Sequence, residues 1–260
     1  MMQHSDQLAI EDLSVVWCNS NAVATSIMEA ISFVTPLVEN FLISTVAESI
    51  AKQHNSELHQ RCHSFLREES SHSRLHKKFN AVLLNHLGRT PPGFSWVQFI
   101  LNGAKKRLSL SKRLLITAAL EHFSAVMSKA YLTQETEWNF QSRFAKELFA
   151  HHAREELAHR STIFDLWLSK KHTGWLGRML IVLAILLTGS VYVMTTAPWI
   201  LQRKTEKHLP ATLLMFTDFI IKNIGNMMRY SLLGELFSFT RADYHPDHLI
   251  DDKDIANKVR

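Results

Sequence analysis

The chain has 260 residues, 46% hydrophobic and 20% charged, with only 8 Gly and 6 Pro, so it can bury a full core and favours helices over a many-turned β fold. A formal charge of +5 without interleaved basic and aromatic residues argues against a nucleic-acid partner and leans mildly toward an anionic membrane surface. Two cysteines, Cys18 and Cys62, exclude a disulfide framework and point to a reduced, cytosolic setting.

In chain order, residues 1–27 read as a polar leader, with no basic stretch followed by an apolar one of the secretory kind. Thr35-Pro36 predicts a helix start, Thr35 as N-cap and Pro36 at the first helical position, running to about Asn55. A second helical pattern covers 56–87 and stops at Gly88, ahead of the breaker Pro91-Pro92-Gly93. A third element lies within 94–104, a fourth runs from Ser111 to about Thr136, and a fifth from Trp138 to about Lys171. Gly174 and Gly177 mark a junction. Met179–Gln202 then holds no charged residue and is long enough to match the ~30 Å apolar thickness of a bilayer. Thr188, Ser190, Thr195 and Pro198 soften that match, so a buried helix and a membrane-embedded one both stand. From Leu209 the pattern is mixed and ends in the tail TRADYHPDHLIDDKDIANKVR.

At about 100° per residue, each helical pattern shows which acids face the core. Glu39 lies among Ile43, Val46 and Ile50, whereas Glu48 shares its side with Lys52. Glu69, His72 and His76 fall with Cys62, Phe65 and Phe79, opposite Arg67 and Arg74. Glu121 lies among the small residues Ala118, Ala125 and Ser128. In HHAREELAHRSTIFDLW, Glu156 is flanked by His152 and His159 on the face of Phe149, Ile163 and Trp167. A buried carboxylate is costly unless paired or bound to a cation. One inward glutamate on each of four helices, two of them in Glu-x-x-His pairs, is the pattern of a dinuclear carboxylate site in a four-helix bundle. His76 reads as a hydrogen-bonded histidine beside that set, and Glu68 and Glu155 as ordinary salt-bridge partners on the helix flanks. Lys105-Lys106-Arg107 and Lys112-Arg113 read as a solvated loop, and His245 and His248 as parts of an ordered tail.

The segments PLVENF, FLREESSHSRLH, TAALEH and HHAREELAHRSTIFD resemble, in order, the bacterial family of predicted metal-dependent hydrolases. That family is similar in turn to the ferritin-like di-iron N-oxygenases that oxidise arylamines. The resemblance covers about 36–250 and implies Glu39, Glu69, His72, Glu121, Glu156 and His159 as metal ligands, with His152 as a seventh. The tail RADYHPDHLIDD resembles the family's closing motif. The chain departs from the pattern at His151, where an aromatic residue is common, and at Ala158, where glutamate is frequent. Neither departure touches a predicted ligand; both bear on the hydrogen bonds around the ligands.

The expectation is therefore an all-α protein: a leader over 1–27, a ferritin-like four-helix bundle with a dinuclear site over 28–172, and a C-terminal helical extension over 173–260. The predicted activity is O2-dependent oxidation of a small organic substrate at two iron ions, with an electron donor as partner; manganese and zinc are the other candidate metals. Two further classes stay open: metal-dependent hydrolysis by a metal-bound water, and a non-enzymatic, membrane-associated metal-binding protein. The expected location is cytoplasmic, in contact with the inner membrane through 179–202, with homodimerisation open.

Overall fold

The computed structural model describes residues 16–51, 56–133, 138–170, 174–229 and 232–249. These residues form helices, with one isolated bridge between Cys18 and Phe140. The first 15 residues of the expected leader and the tail after Leu249 lie outside the described residues.

Helix α1 (Ala22–Ile50) opens at Asn21, whose Oδ1 accepts from the Val23 and Ala24 amides at 2.9 and 3.1 Å. The start expected at Thr35-Pro36 is thus wrong, because Pro36 sits inside the helix. Proline removes one donor from the ladder and leaves the Ser32 carbonyl without its usual partner. Asn80, from the next helix, replaces that donor: its Nδ2 donates to Ser32 O at 2.8 Å. Of the stretch expected as a polar leader, residues 16–21 lie ahead of α1 and pack against the rest of the fold. Trp17 and Cys18 are fully buried, and the segment pairs with 139–141 through Asn19 N to Asn139 O (2.7 Å) and Gln141 N to Trp17 O (2.8 Å).

Helix α2 (Ser56–Leu87) stops where the sequence predicts, at Gly88, which takes φ +74. Helix α3 (Gly93–Arg107) begins at a glycine for a different reason. A Cβ on Gly93 would meet Thr196 Oγ1 at 2.1 Å, so only glycine allows this close approach to the helix that carries Thr196. Helix α4 (Leu110–Leu132) precedes α5 (Arg143–Ala158), which is capped by Ser142. The single helix expected from Trp138 to Lys171 is instead α5 followed by α6 (Thr162–Leu168). The chain turns at His159 (φ −107, ψ 15), where Thr162 N donates to His159 O at 3.0 Å. Arg160 Nη1 donates to the Leu157 carbonyl at 2.6 Å, satisfying one of the acceptors left at the end of α5.

Helix α7 (Trp175–Thr205) contains the uncharged stretch, and α8 (Leu209–Arg229), α9 (Leu232–Ser238) and a 3-10 turn at Pro246–Leu249 follow. Helix α1 packs on α2, α4, α3 and α7, while α5 lies against α4 and α2. Beside two small apolar clusters around Val126 and Leu157, two main ones result. One gathers Trp17, Phe33, Phe79 and Phe149; the other gathers Phe41, Phe65, Leu114, Ile163 and Trp167. Along α1 and α2 a polar layer separates them: Glu39 lies between Phe33 and Phe41, and Glu69, His72 and His76 lie between Phe65 and Phe79.

Candidate metal centre

The polar layer is where the glutamates and histidines of α1, α2, α4 and α5 converge. Their side chains form a continuous chain of close approaches. Glu121 Oε2 lies 3.3 Å from His159 Nδ1, whose Nε2 is 3.6 Å from Glu69 Oε1. Glu69 Oε1 is 3.5 Å from His72 Nδ1, which is 4.0 Å from Glu156 Oε1. Glu156 Oε1 is 3.4 Å from His152 Nε2, and His152 Nδ1 is 3.9 Å from Glu39 Oε1. The structure thus brings all seven sequence-predicted residues to one place. Six of them are buried; His152, with 18% of its side chain exposed, sits at the rim.

Almost none of these atoms forms a hydrogen bond along that path. Both Glu39 oxygens, Glu69 Oε1, His72 Nδ1, Glu121 Oε2, His152 Nδ1, Glu156 Oε2 and both His159 nitrogens are buried without one. Orphaned polar atoms are rare in native interiors, and seven adjacent residues sharing the defect need a common partner. A cation would supply it. Glu39, Glu69 and His72 each offer one donor atom within 4.8 Å of the other two, and so do Glu69, Glu156 and His159. Glu69 belongs to both groups. Glu121 joins neither and reaches the cluster through His159. Carboxylate and imidazole donors suit iron, zinc or manganese, so the residues present fit a metal ion.

The electrostatics agree. Burial, and then the charge of Glu69, raises the carboxyls of Glu39 and Glu121 well above their usual range. Glu156 is raised by burial and by both Glu121 and Glu69. Burial, reinforced by His72 and His76, holds His152 neutral, well below the usual imidazole range. His72 is the exception: burial opposes its proton, yet the Glu155 and Glu69 carboxylates outweigh burial and hold it at about 11. Its Nε2 is hydrogen-bonded to Glu155 Oε2. Nδ1 therefore faces the cluster, where a cation would take the place of the proton while Nε2–H stayed on Glu155.

Glu155 is the residue that sequence reasoning misplaced. Rather than an ordinary flank salt bridge, it holds His72 and also lies 3.0 Å from His151 Nε2. Burial raises its carboxyl, but those two imidazoles bring it down to about 2. The available signal was its place four residues after His151 on the turn facing α2. Glu68 does stay on the flank, accepting from Ser64 Oγ at 2.9 Å with its other oxygen 4.0 Å from His159 Nε2. His245 is an ordered tail residue, 3.1 Å from Asp165 Oδ1. Tyr244 Oη lies 2.6 Å from His122 Nδ1, binding the tail to α4.

A family profile described as predicted metal-dependent hydrolase matches residues 4–249. The chain belongs to that family. No curated protein and no solved structure gives a significant match. The family is described as metal-dependent, and the buried Glu/His groups here are ones that could hold a metal ion.

Proposed function

We propose that this family member is a metal-dependent hydrolase whose polar layer holds two divalent cations in a ferritin-like bundle of α1, α2, α4 and α5. The observation that carries the reading is the run of buried, partnerless donors, in which Glu69 belongs to two ligand groups at once. Glu39, His72 and His152 would hold one ion and Glu121 and His159 the other, with Glu69 and Glu156, which each belong to two of the donor groups, shared between them. Once bound, the cations would supply Lewis-acid polarisation of a substrate oxygen and acidify a water. The protein's own contribution is geometry. Glu155 fixes the His72 ring, the two main apolar clusters exclude bulk water, and the rim at His152 is where a substrate meets the cluster.

A second reading, O2-dependent oxidation at two irons, is favoured by one feature: four buried carboxylates balance two divalent ions with imidazoles left over. The two separate by experiment. Protein from cells supplemented with zinc, manganese or iron is assayed for metal content, then on carboxylic and phosphate esters. Turnover that Glu69→Gln abolishes supports hydrolysis. No ester turnover with any metal, with rapid O2 consumption by the iron-loaded, reduced protein, moves the assignment to oxidation. A folded protein that binds no metal overturns both.

We also propose that α7 rests on a membrane. Leu176, Leu180, Leu183, Leu187, Val191 and Met194 are exposed at helical spacing and make one apolar stripe. Leu209, Leu213 and Leu214 of α8 are exposed too. Val182 and Tyr192 point away from the stripe into the core, and past Met194 the helix is buried at Ala197, Ile200 and Leu201, so it lies along the bundle. Trp175 lies at one end of the stripe and Trp199, with Arg203 5.4 Å from its ring, at the other. Replacing Leu180, Leu183 and Leu187 by glutamine should release the protein from sedimented membranes; a wild-type chain that is monodisperse without detergent refutes the idea.

A further inference from the structure

His76 is fully buried and plays no part in the ligand set above, yet the structure prepares it with care. Its Nδ1 lies 2.8 Å from Ser32 Oγ, and which atom carries the proton follows from the neighbours. Asn80 Nδ2 must be the atom facing Ser32 O, 2.8 Å away, because a carbonyl only accepts. That fixes Asn80 Oδ1 as the atom 2.7 Å from Ser32 Oγ, and an amide oxygen only accepts too. The single hydroxyl proton of Ser32 therefore goes to Asn80. Ser32 Oγ must then accept from His76 Nδ1–H, which leaves the ring's lone pair on Nε2. The sequence feature behind this is Pro36: without its missing amide, the Ser32 carbonyl would be taken by the α1 ladder and Asn80 would lose its anchor.

His76 Nε2 is buried and meets no hydrogen-bond partner. His76, Glu39 and His152 each offer a donor atom within 4.8 Å of the other two. With Nδ1 taken by Ser32, Nε2 is the nitrogen left for that group. We infer that His76 is a further metal donor, completing with Glu39 and His152 an imidazole-rich position at the α1 end of the centre. This inference rests on the metal reading above and adds an asymmetry to it. The end near Glu39 gathers imidazoles and the end near Glu121 gathers carboxylates, so the first favours zinc and similar borderline ions. The two positions fill in order, the imidazole-rich one first.

Full-length, metal-free protein is titrated with cobalt(II) and with zinc(II), following the cobalt visible bands, calorimetric stoichiometry and the thermal melt without metal. The wild type is expected to show a tight phase and a weaker one. His76→Leu fills the ring's space and should weaken the tight phase at least about tenfold, lower the coordination number seen in the cobalt bands, and leave the metal-free melt near wild type. Ser32→Ala keeps every donor but frees the His76 tautomer; it should weaken the tight phase by about tenfold as well. An unchanged tight phase in folded His76→Leu overturns the inference and leaves the rest of the centre standing. If His76→Leu does not fold, an unchanged tight phase in Ser32→Ala overturns it instead. No binding by the wild type overturns the metal reading itself.

Discussion

Replacing Glu121 by alanine tests the centre at its least connected member. Glu121 is the one predicted donor of α4, buried, with Oε2 3.3 Å from His159 Nδ1 and no hydrogen bond. Losing one buried methylene costs about 0.8 kcal/mol, while removing an unsatisfied buried carboxyl returns about 1–3 kcal/mol. The metal-free melt should therefore not fall and should rise by up to about 9 °C, at about 2–4 °C per kcal/mol for a chain of this size. Metal shows the difference. At free metal about 100–1,000 times Kd, binding adds about 2.7–4.1 kcal/mol to the wild type, a shift of about 5–16 °C. A hundredfold weaker variant loses about 2.7 kcal/mol of that, so its shift falls below about 6 °C. Elemental analysis beside calorimetric melts, with and without metal, measures both quantities. A folded variant that keeps the wild-type metal content and the wild-type shift removes Glu121 from the ligand set.

Glu155→Gln keeps a hydrogen-bond acceptor for His72 but removes its charge, so metal affinity should fall about 10–100-fold; affinity equal to wild type shows that Glu155 does not orient His72. Lys204→Met strips the ammonium from Glu29, which is fully buried and also accepts from Trp17 Nε1 at 2.9 Å, and should cost about 3–5 kcal/mol by denaturant unfolding. Burial raises the Glu29 carboxyl, so its protonated form is the one folding favours: the variant's deficit should shrink toward and below pH 4.5 and grow as pH rises, and a pH-independent deficit contradicts that. Cys18 and Cys62 are buried, with thiols pushed up by burial to about 12 and about 11, so a disulfide reagent at pH 8 should label neither until the protein unfolds.

How much of this was legible follows from what each feature depends on. Helix faces were, because burial of Glu39, Glu69, Glu121 and Glu156 follows from period and neighbours within one element. The end of α2 was, because Gly88 supplies the positive φ locally. The start of α1 was not. Proline is favoured at a first helical position, and nothing near Pro36 reveals that Asn80 of α2 will bond the Ser32 carbonyl it leaves free. The break after α5 was hidden for a related reason. The pattern through Glu156, Ile163 and Trp167 suits one helix, and only the turn at His159 with Arg160 on the Leu157 carbonyl divides it. Glu155 was hidden too, since its role is set by His72 on another helix.

The layer also bears on why the chain keeps charges where leucine would pack. A bundle selected for stability alone gains by replacing buried ionisable groups with apolar ones of similar volume. Here the residues above and below the layer are aromatic and aliphatic, so the fold had no shortage of such partners. Without a cation the layer relieves itself with protons: Glu39, Glu121 and Glu156 are all raised, first by burial and then by the neighbouring carboxylate charge. A divalent ion must displace those protons to bind, so binding releases them and its affinity rises with pH through the raised carboxyl range. His72 runs the same way, since the cation replaces the proton on Nδ1 while Glu155 keeps the one on Nε2. A layer neutralised by protons and one in which a cation replaces them are, on the proposed reading, two states of a single electrostatic design.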